Sequence, residues 1–295
     1  MPARPTGTTV PRRQLGRHLR ELRSKARLTV KAAAEAMEWS ETTMWRIENG
    51  HTSMRGHDVE LICRIYGAPA KLTAGLVGLA KETKNGQSWW HAYGDVIPES
   101  FDLYIGLEEA AERLSSYQSE RVPGLVQTED YARTLIRADN LGKSDEEIER
   151  RVQVRIQRQA LLTRTIEPPQ VNMVLHEAVL RPVIGSSEIM ACQLARLAEV
   201  NQLENVSVRV TPFTHGLHPG IMSGQFVMMQ FPGNGDGRPS EPTTIYVEGF
   251  TGALYLEKPE EVARYEAAFA SIWESALSEA NSTNFLDQVA KDFRK

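Results

Sequence analysis

With 295 residues, 41% hydrophobic and 24% charged, the chain has the composition of one large or two ordinary globular domains, and the length favours two. No apolar run approaches the roughly 20 residues that span a bilayer, and the start, MPARPTGTTVPRRQLG, lacks the apolar segment of a secretory signal, so membrane and secreted classes are set aside. The net charge of −4 conceals an asymmetry: residues 1–31 hold nine Lys/Arg against one acid, Glu21, a basic front that suits either a polyanion partner or a solvated face.

Residues 1–11 read as a disordered basic arm. A helical domain is expected over 12–82. Leu15, Leu19 and Leu22 recur at i, i+4 and i+7, with Arg on the other side of the same helix. Thr29 can cap a second helix, VKAAAEAM, whose small residues permit close packing. Ser40 opens a third, in which Met44 and Ile47 point inward and Asn49-Gly50 ends the run with residues that tolerate positive φ. Asp58 is placed as the cap of a fourth helix carrying Val59, Ile62, Cys63 and Tyr66, and a fifth from about Ala70 carries Leu72, Leu76 and Leu79.

Residues 83–106 break the periodicity and collect Trp89, Trp90, Tyr93, Phe101 and Tyr104, so they read as an aromatic connector that packs on the second domain. Over 107–295 the pattern is mixed. Helices are expected at 107–115, 128–138, 144–164, 187–203, 259–278 and 282–293, and strands at 171–175, 206–211, 225–231, 243–248 and 253–256. The segment PGNGDGRPSEP, 232–242, has the chemistry of a long hairpin loop. The fold class is therefore an all-α five-helix domain followed by an α+β domain with a small mixed sheet. Cys63 and Cys192 fall in apolar helical patterns and read as reduced core thiols of a cytoplasmic protein.

A helix, a tight turn, a second helix and two packing helices form the architecture that places a recognition helix in a major groove. The run LTVKAAAEAMEWSETTMWRIENG resembles the repressor-type Xre helix-turn-helix. Leu28, Thr29, Ala34, Met37, Trp39, Ser40, Thr42, Thr43, Met44, Arg46, Ile47, Glu48, Asn49 and Gly50 fit that family's pattern. The resemblance implies that Thr29 and Asn49 bind phosphate, that Thr42 and Arg46 face base edges, and that Glu48 pairs with Arg23 on the first helix. The chain departs from the pattern at Val30, where a Gln is usual, and at Glu38, which replaces the turn Gly. Glu41 and Trp45 stand at outward positions and have two open readings. Glu41 accepts from cytosine N4 or merely favours the helix dipole; Trp45 packs on a thymine methyl or lies over the domain surface. Arg12, Arg13, Arg17 and Arg55 either supply phosphate or minor-groove charge beside the helix or are solvated. An interface of this size is usually duplicated, which implies a homodimer on a palindromic double-stranded operator.

Phrases of the second domain, among them YQSERVPGLVQTEDYARTLI (117–136), LHEAVLRPVIG (175–185) and TPFTHGLHPG (211–220), resemble the C-terminal domain of actinobacterial Xre regulators of the WhiJ-like, antitoxin-like group. That resemblance implies a regulator that answers to a small protein encoded beside it. On the residues themselves, His176-Glu177, His215 and His218 offer donors but read as ordinary loop side chains, GNGDG lacks the Lys-Ser/Thr of a phosphate loop, and no catalytic constellation is legible, so neither enzyme, metal nor cofactor is expected. The helix ERRVQVRIQRQALLTR presents Arg150, Arg151, Arg155, Arg158 and Arg164 as a solvated brace, an acidic-ligand or partner face, or a second DNA stripe. Tyr117, Gln127, Tyr131, Arg151, Arg155, Tyr246, Glu248 and Tyr255 are candidates to line a pocket or partner groove, against plain core packing with hydrogen-bonded tips. The chain reads as a cytoplasmic transcriptional regulator, nucleoid-associated when on DNA; the alternative is an antitoxin-like module that sequesters the neighbouring-gene protein and binds DNA for autoregulation.

Overall fold

The computed structural model describes residues 10–50, 52–84, 99–233, 239, 241–250 and 252–294. The chain divides into two units, one formed by residues 1–94 with 233–240 and one by the remainder.

The first unit is helical: α1 (Val10–Lys25), α2 (Val30–Ala36), α3 (Glu41–Glu48), α4 (Gly56–Ile65) and α5 (Ala70–Lys84). Helices this short are marginal alone, so a shared core holds them. Leu15, Leu19 and Leu22 of α1 are buried, as are Met44 and Ile47 of α3, Val59 and Ile62 of α4, and Leu76 of α5. Thr29 Oγ1 accepts from the Ala32 N–H and Ser40 Oγ from the Thr43 N–H, each at 3.1 Å, which satisfies orphan donors at the starts of α2 and α3. The start of α4 differs from expectation. Arg55 is its N-cap, without a side-chain bond, and Asp58 lies inside the first turn, where its carboxylate favours the helix dipole instead of capping it. The expected arm overlaps α1 at Val10 and Pro11, and residues 1–9 lie outside the described residues. Two backbone features set the packing. Glu38, in the turn between α2 and α3, is held at φ +54°, and Gly50 leaves α3 at φ +70°. At Gly16 a Cβ would fall 2.5 Å from the Ile47 carbonyl oxygen and 2.7 Å from that of Glu48, so α1 meets the end of α3 main chain to main chain.

The second unit is α+β. Its order is α6 (Glu99–Ala110), β1 (Arg113–Gln118), α7 (Glu129–Asp139), α8 (Asp145–Arg158), β2 (Gln170–His176), α9 (Ser187–Val200), β3 (Val206–Thr211), α10 (Gly220–Ser223), β4 (Phe226–Gln230), β5 (Thr244–Gly249), β6 (Gly252–Leu256), α11 (Pro259–Ser275) and α12 (Glu279–Phe293). Single tight helical turns stand at Gly124–Val126, Gln159–Thr163, Glu177–Val179 and Phe213–His215. The six strands form one mixed sheet in the order β3-β2-β1-β4-β5-β6. β1, β2 and β3 run parallel; β4, β5 and β6 continue antiparallel from β1. Register puts Tyr117, Val174 and Phe226 on one face, where they join Met228 and Ile245 against Val262, Phe269 and Ile272 of α11. The outer edge of β3 is closed by side chains and a turn: Val208 N–H donates to Asn201 Oδ1 at 2.6 Å, Val210 N–H to Ser282 Oγ at 3.0 Å, and Leu277 N–H to the Val210 carbonyl at 2.9 Å.

Three expectations change here. The helix expected at 107–115 lies at 99–110, so the last third of the connector is helical; residues 85–98 lie outside the described residues. β1, which follows at once, was not expected as a strand: RLSSYQ reads as polar, yet all but its first residue are buried, because β1 sits mid-sheet. Cys192 is exposed, since α9 buries Met190, Ala191, Gln193, Leu194 and Leu197 and turns position 192 outward, while Cys63 is buried as expected. Among the described residues no helix is long and apolar enough to cross a membrane.

A non-glycine residue in the left-handed region costs roughly 1–2 kcal/mol, part of which a glycine returns through its looser unfolded chain. Glu38→Gly is therefore expected to stabilise the first unit by about 1 kcal/mol in an equilibrium urea titration; no gain would mean that Glu38 makes a compensating interaction.

Candidate nucleic-acid interface

α3 divides cleanly by face. Met44, Ile47 and Glu48 are buried, whereas Glu41, Thr42, Trp45 and Arg46, two pairs one helical turn apart, are exposed, with Trp45 54% accessible. The four expected base-reading residues thus share one outward surface. Eight residues cannot hold an orientation unaided, and the exit of α3 is fixed to α1 by charge. Arg23 lays Nε on Glu48 Oε1 at 2.6 Å and Nη2 on Oε2 at 2.9 Å, a two-pronged fork, while Nη1 donates to the Leu28 carbonyl at 2.9 Å. The hydrogen bond to Glu48 lifts the Arg23 guanidinium above its usual pKa even against the opposing effect of burial. Arg20 completes the clamp, donating from Nη2 to the Glu48 carbonyl at 2.9 Å and to Asn49 Oδ1 at 2.6 Å. Sequence reasoning missed Arg20 and Gly16, although Gly16, Arg20 and Arg23 recur at i, i+4 and i+7 and so form one stripe of α1.

The phosphate candidates separate. Thr29 is exposed at the start of α2, and with its oxygen accepting from Ala32 its hydroxyl hydrogen is directed to an acceptor elsewhere. Arg55 is exposed between α3 and α4. Asn49 has both ends of its amide engaged within the unit, Oδ1 by Arg20 and Nδ2 on the Trp45 carbonyl at 2.7 Å, so it serves as a brace for the reading helix. Arg17 is a correction: it is buried, at 8% exposed, within a turn of α1, residues 15–19, that is buried throughout, so it does not stand among the exposed phosphate candidates. The side chains of Arg12 and Arg13 lie outside the described residues.

In the second unit Tyr131, Arg155, Tyr246 and Glu248 lie within electrostatic reach of Arg121, and Tyr117 stands apart in the core. Tyr117 is core, edge-on to His218 at 5.6 Å. Gln127, Tyr131 and Arg155 meet around Val122: Gln127 Nε2 donates to the Val122 carbonyl at 2.6 Å, the Val122 N–H donates to the Tyr131 hydroxyl at 3.3 Å, and Arg155 Nη1 donates to Gln127 Oε1 at 3.0 Å. Tyr246 and Tyr255 pack together at 5.2 Å, and Glu248 pairs with Arg121 at 2.5 Å, a residue the sequence reading did not single out. Arg151 follows the same face of α8 as Arg155, one turn earlier.

His176, His215 and His218 gather at the ends of β2 and β3, with ring centroids 5.6 and 5.9 Å from His218. Nδ1 of His176 accepts from the Ala178 N–H at 3.2 Å and Nδ1 of His218 from the Gly220 N–H at 3.1 Å. Each neutral ring therefore carries its hydrogen on Nε2, so the pair presents donors where a metal needs lone pairs. Burial lowers the pKa of both rings, helped at His218 by the two neighbouring histidines.

A protein-family model described as Helix-turn-helix domain matches residues 14–76, and one described as Domain of unknown function (DUF5753) matches residues 101–288. No curated protein and no solved structure matches the chain.

Breaking a buried ion pair at one partner typically costs about 3–5 kcal/mol. Glu48→Ala, which strands an Arg23 side chain only 13% exposed, is expected to destabilise by that order in denaturant titration, and the double change Arg23→Met, Glu48→Leu to recover most of the loss. The histidines give a pH signature. Below their ordinary value of 6.5 the unfolded chain takes up protons that the folded rings refuse, so stability falls as the pH drops from 7 to 5. His218→Asn keeps an acceptor for Gly220 without a titrating ring; its melting temperature should fall less over that interval than the wild type's, and an equal fall would remove His218 from the account.

Proposed function

Because the chain belongs to the family of the domain of unknown function DUF5753 and carries a helix-turn-helix domain, we propose that it is a sequence-specific transcriptional regulator of double-stranded DNA, whose C-terminal unit dimerises and senses a small partner protein or ligand. The observation that carries this reading is the outward face of α3, with Glu41, Thr42, Trp45 and Arg46 held by the Arg23–Glu48 fork. Arg46 takes guanine bidentately, Thr42 contacts the neighbouring base edge, Glu41 accepts from cytosine N4 and Trp45 packs on a thymine methyl, with Thr29 and Arg55 on phosphates to either side. The protein acts by binding, not by catalysis, in the cytoplasm and on the nucleoid. It is of the Xre, WhiJ-like kind found in actinobacteria, and two copies on a palindromic operator supply the affinity one small interface lacks.

One observation favours a second reading, an antitoxin-like module that sequesters a small neighbouring-gene protein. Phe213, Leu217, Ile221 and Met222 are 54–84% exposed on the segment between β3 and β4, an apolar patch of the kind protein partners cover. Co-purification of a small neighbour-encoded protein with the chain, lost on Leu217→Glu, supports it; a neighbour that does not co-purify ends it.

Footprinting on the protein's own promoter tests the first reading. Protection of a two-fold symmetric site is expected, weakened by roughly 1–3 kcal/mol in Arg46→Ala. Unchanged protection would overturn the assignment of α3.

A further inference from the structure

We infer that Arg155, with Arg121 in reach of it and Arg151 one turn earlier on α8, forms a site in the C-terminal unit for a small oxyanion, a carboxylate or phosphate group. The site gives a chemical class to the ligand sensing proposed above, and rests on that reading for its regulatory meaning only.

Arg121, Arg155 and Arg158 act on one another here beside three carboxylates, Glu108, Glu248 and Asp139, and Arg151 stands one turn before Arg155. α8 repeats Arg151, Arg155 and Arg158 at i, i+4 and i+7 along one face. Arg158 is fully answered: Nε and Nη2 fork onto Glu108 at 3.0 and 2.8 Å, and its guanidinium lies 4.9 Å from the Phe101 ring centroid and 5.4 Å from that of Tyr104. Arg121 holds Glu248, but both side chains are more than a third exposed, so an incoming anion can exchange with that carboxylate. Among the described residues Arg155 has no carboxylate within ion-pair distance; its hydrogen bond goes to the neutral amide oxygen of Gln127. Arg151 Nε is buried and makes no hydrogen bond among the described residues.

A guanidinium offers five donors in a rigid fork, and a cation withdrawn from water needs a counter-charge. Burial, with Arg158 and Arg121 close by and only partly offset by Glu248 and Asp139, pushes Arg155 down to about 10, the direction expected of a cation short of anions. Gly124 lies against two of these arginines. A Cβ there would lie 3.4 Å from Arg158 Nη1 and 3.7 Å from Arg155 Cδ and Nε, so both side chains run past bare backbone. A guanidinium whose hydrogen-bond partner is a neutral amide, a buried Nε without a partner one turn away and an exposed Arg121 in reach match what planar or tetrahedral oxyanions require.

The test uses the full chain without DNA, with sodium chloride exchanged for probe at constant ionic strength. The probes are citrate for carboxylate and inorganic phosphate for phosphate, followed by thermal shift and calorimetry. A saturable rise in melting temperature is expected with at least one probe, and which probe acts identifies the group. Arg155→Met should weaken that binding at least tenfold, and Arg151→Met should weaken it too while keeping the wild type's melting temperature without probe, because Arg151 Nε has no hydrogen bond to lose among the described residues, an outcome a merely structural arginine would not give. Arg155→Lys keeps the cation without the fork and should also bind more weakly. Arg46→Ala should respond like wild type, which separates this site from the nucleic-acid face. No saturable response in the wild type, or an equal response in Arg155→Met, would overturn the proposal. Operator recognition plays no part in the readout, so its failure and the failure of the anion site remain distinguishable.

Discussion

The Arg23–Glu48 fork is the interaction on which the nucleic-acid face turns. α3 is an eight-residue helix, too short to persist or to keep an orientation by backbone hydrogen bonding. Its apolar side chains hold it to the core but leave it free to rock about its axis. The bidentate contact removes that freedom, since a planar guanidinium on a carboxylate fixes both distance and angle. Arg20 adds a second point through the Glu48 carbonyl and Asn49, and Asn49 hands the constraint back to α3 at the Trp45 carbonyl. Two arginines of a conspicuously basic α1 thus face inward and do positional work, and the basic composition of the N-terminus overstates the charge available to a polyanion.

The C-terminal unit follows a different logic. Its sheet is stabilised by apolar burial on α11 and by closure of its β3 edge, and the polar side chains are concentrated where chain segments cross. Around Val122 and Gly124, a tyrosine hydroxyl, a glutamine amide and Arg155 add polar ties to a loop that also buries Val122, Leu125 and Val126. Near β2 and β3, Glu177 does the same, accepting from the Phe213 N–H at 2.8 Å and from Arg181. In both places a scaffold of hydrophobic strands carries polar junctions whose partners come from distant parts of the chain.

That division explains what could be read from the residues. The five N-terminal helices were legible because Leu15, Leu19, Leu22, Met44 and Ile47 keep helical spacing and because Thr29 and Ser40 announce two starts. Most strands were legible from β-branched runs such as VSVRVT. β1 was not, because its neighbours on both sides, and not its own hydrophobicity, make it a strand: Ser115, Ser116 and Gln118 are buried polar residues in mid-sheet. Arg17 could not be told from the other arginines of α1, since local pattern carries no record of which turn of a helix a fold encloses. The α3 face was readable from spacing, whereas Arg121–Glu248, 127 residues apart, had no local signature.

Gly16 has a consequence of another kind. A lost contact can be repacked and a lost charge can be matched by a second change, because side chains are what sequence variation supplies. At position 16 the obstacle to a Cβ is two carbonyl oxygens of α3, and no side-chain variation elsewhere withdraws a main chain. Position 16 should therefore lack compensating partners: across related sequences it should vary independently of every other position by not varying at all, while Arg23 and Glu48 remain free to change as a pair.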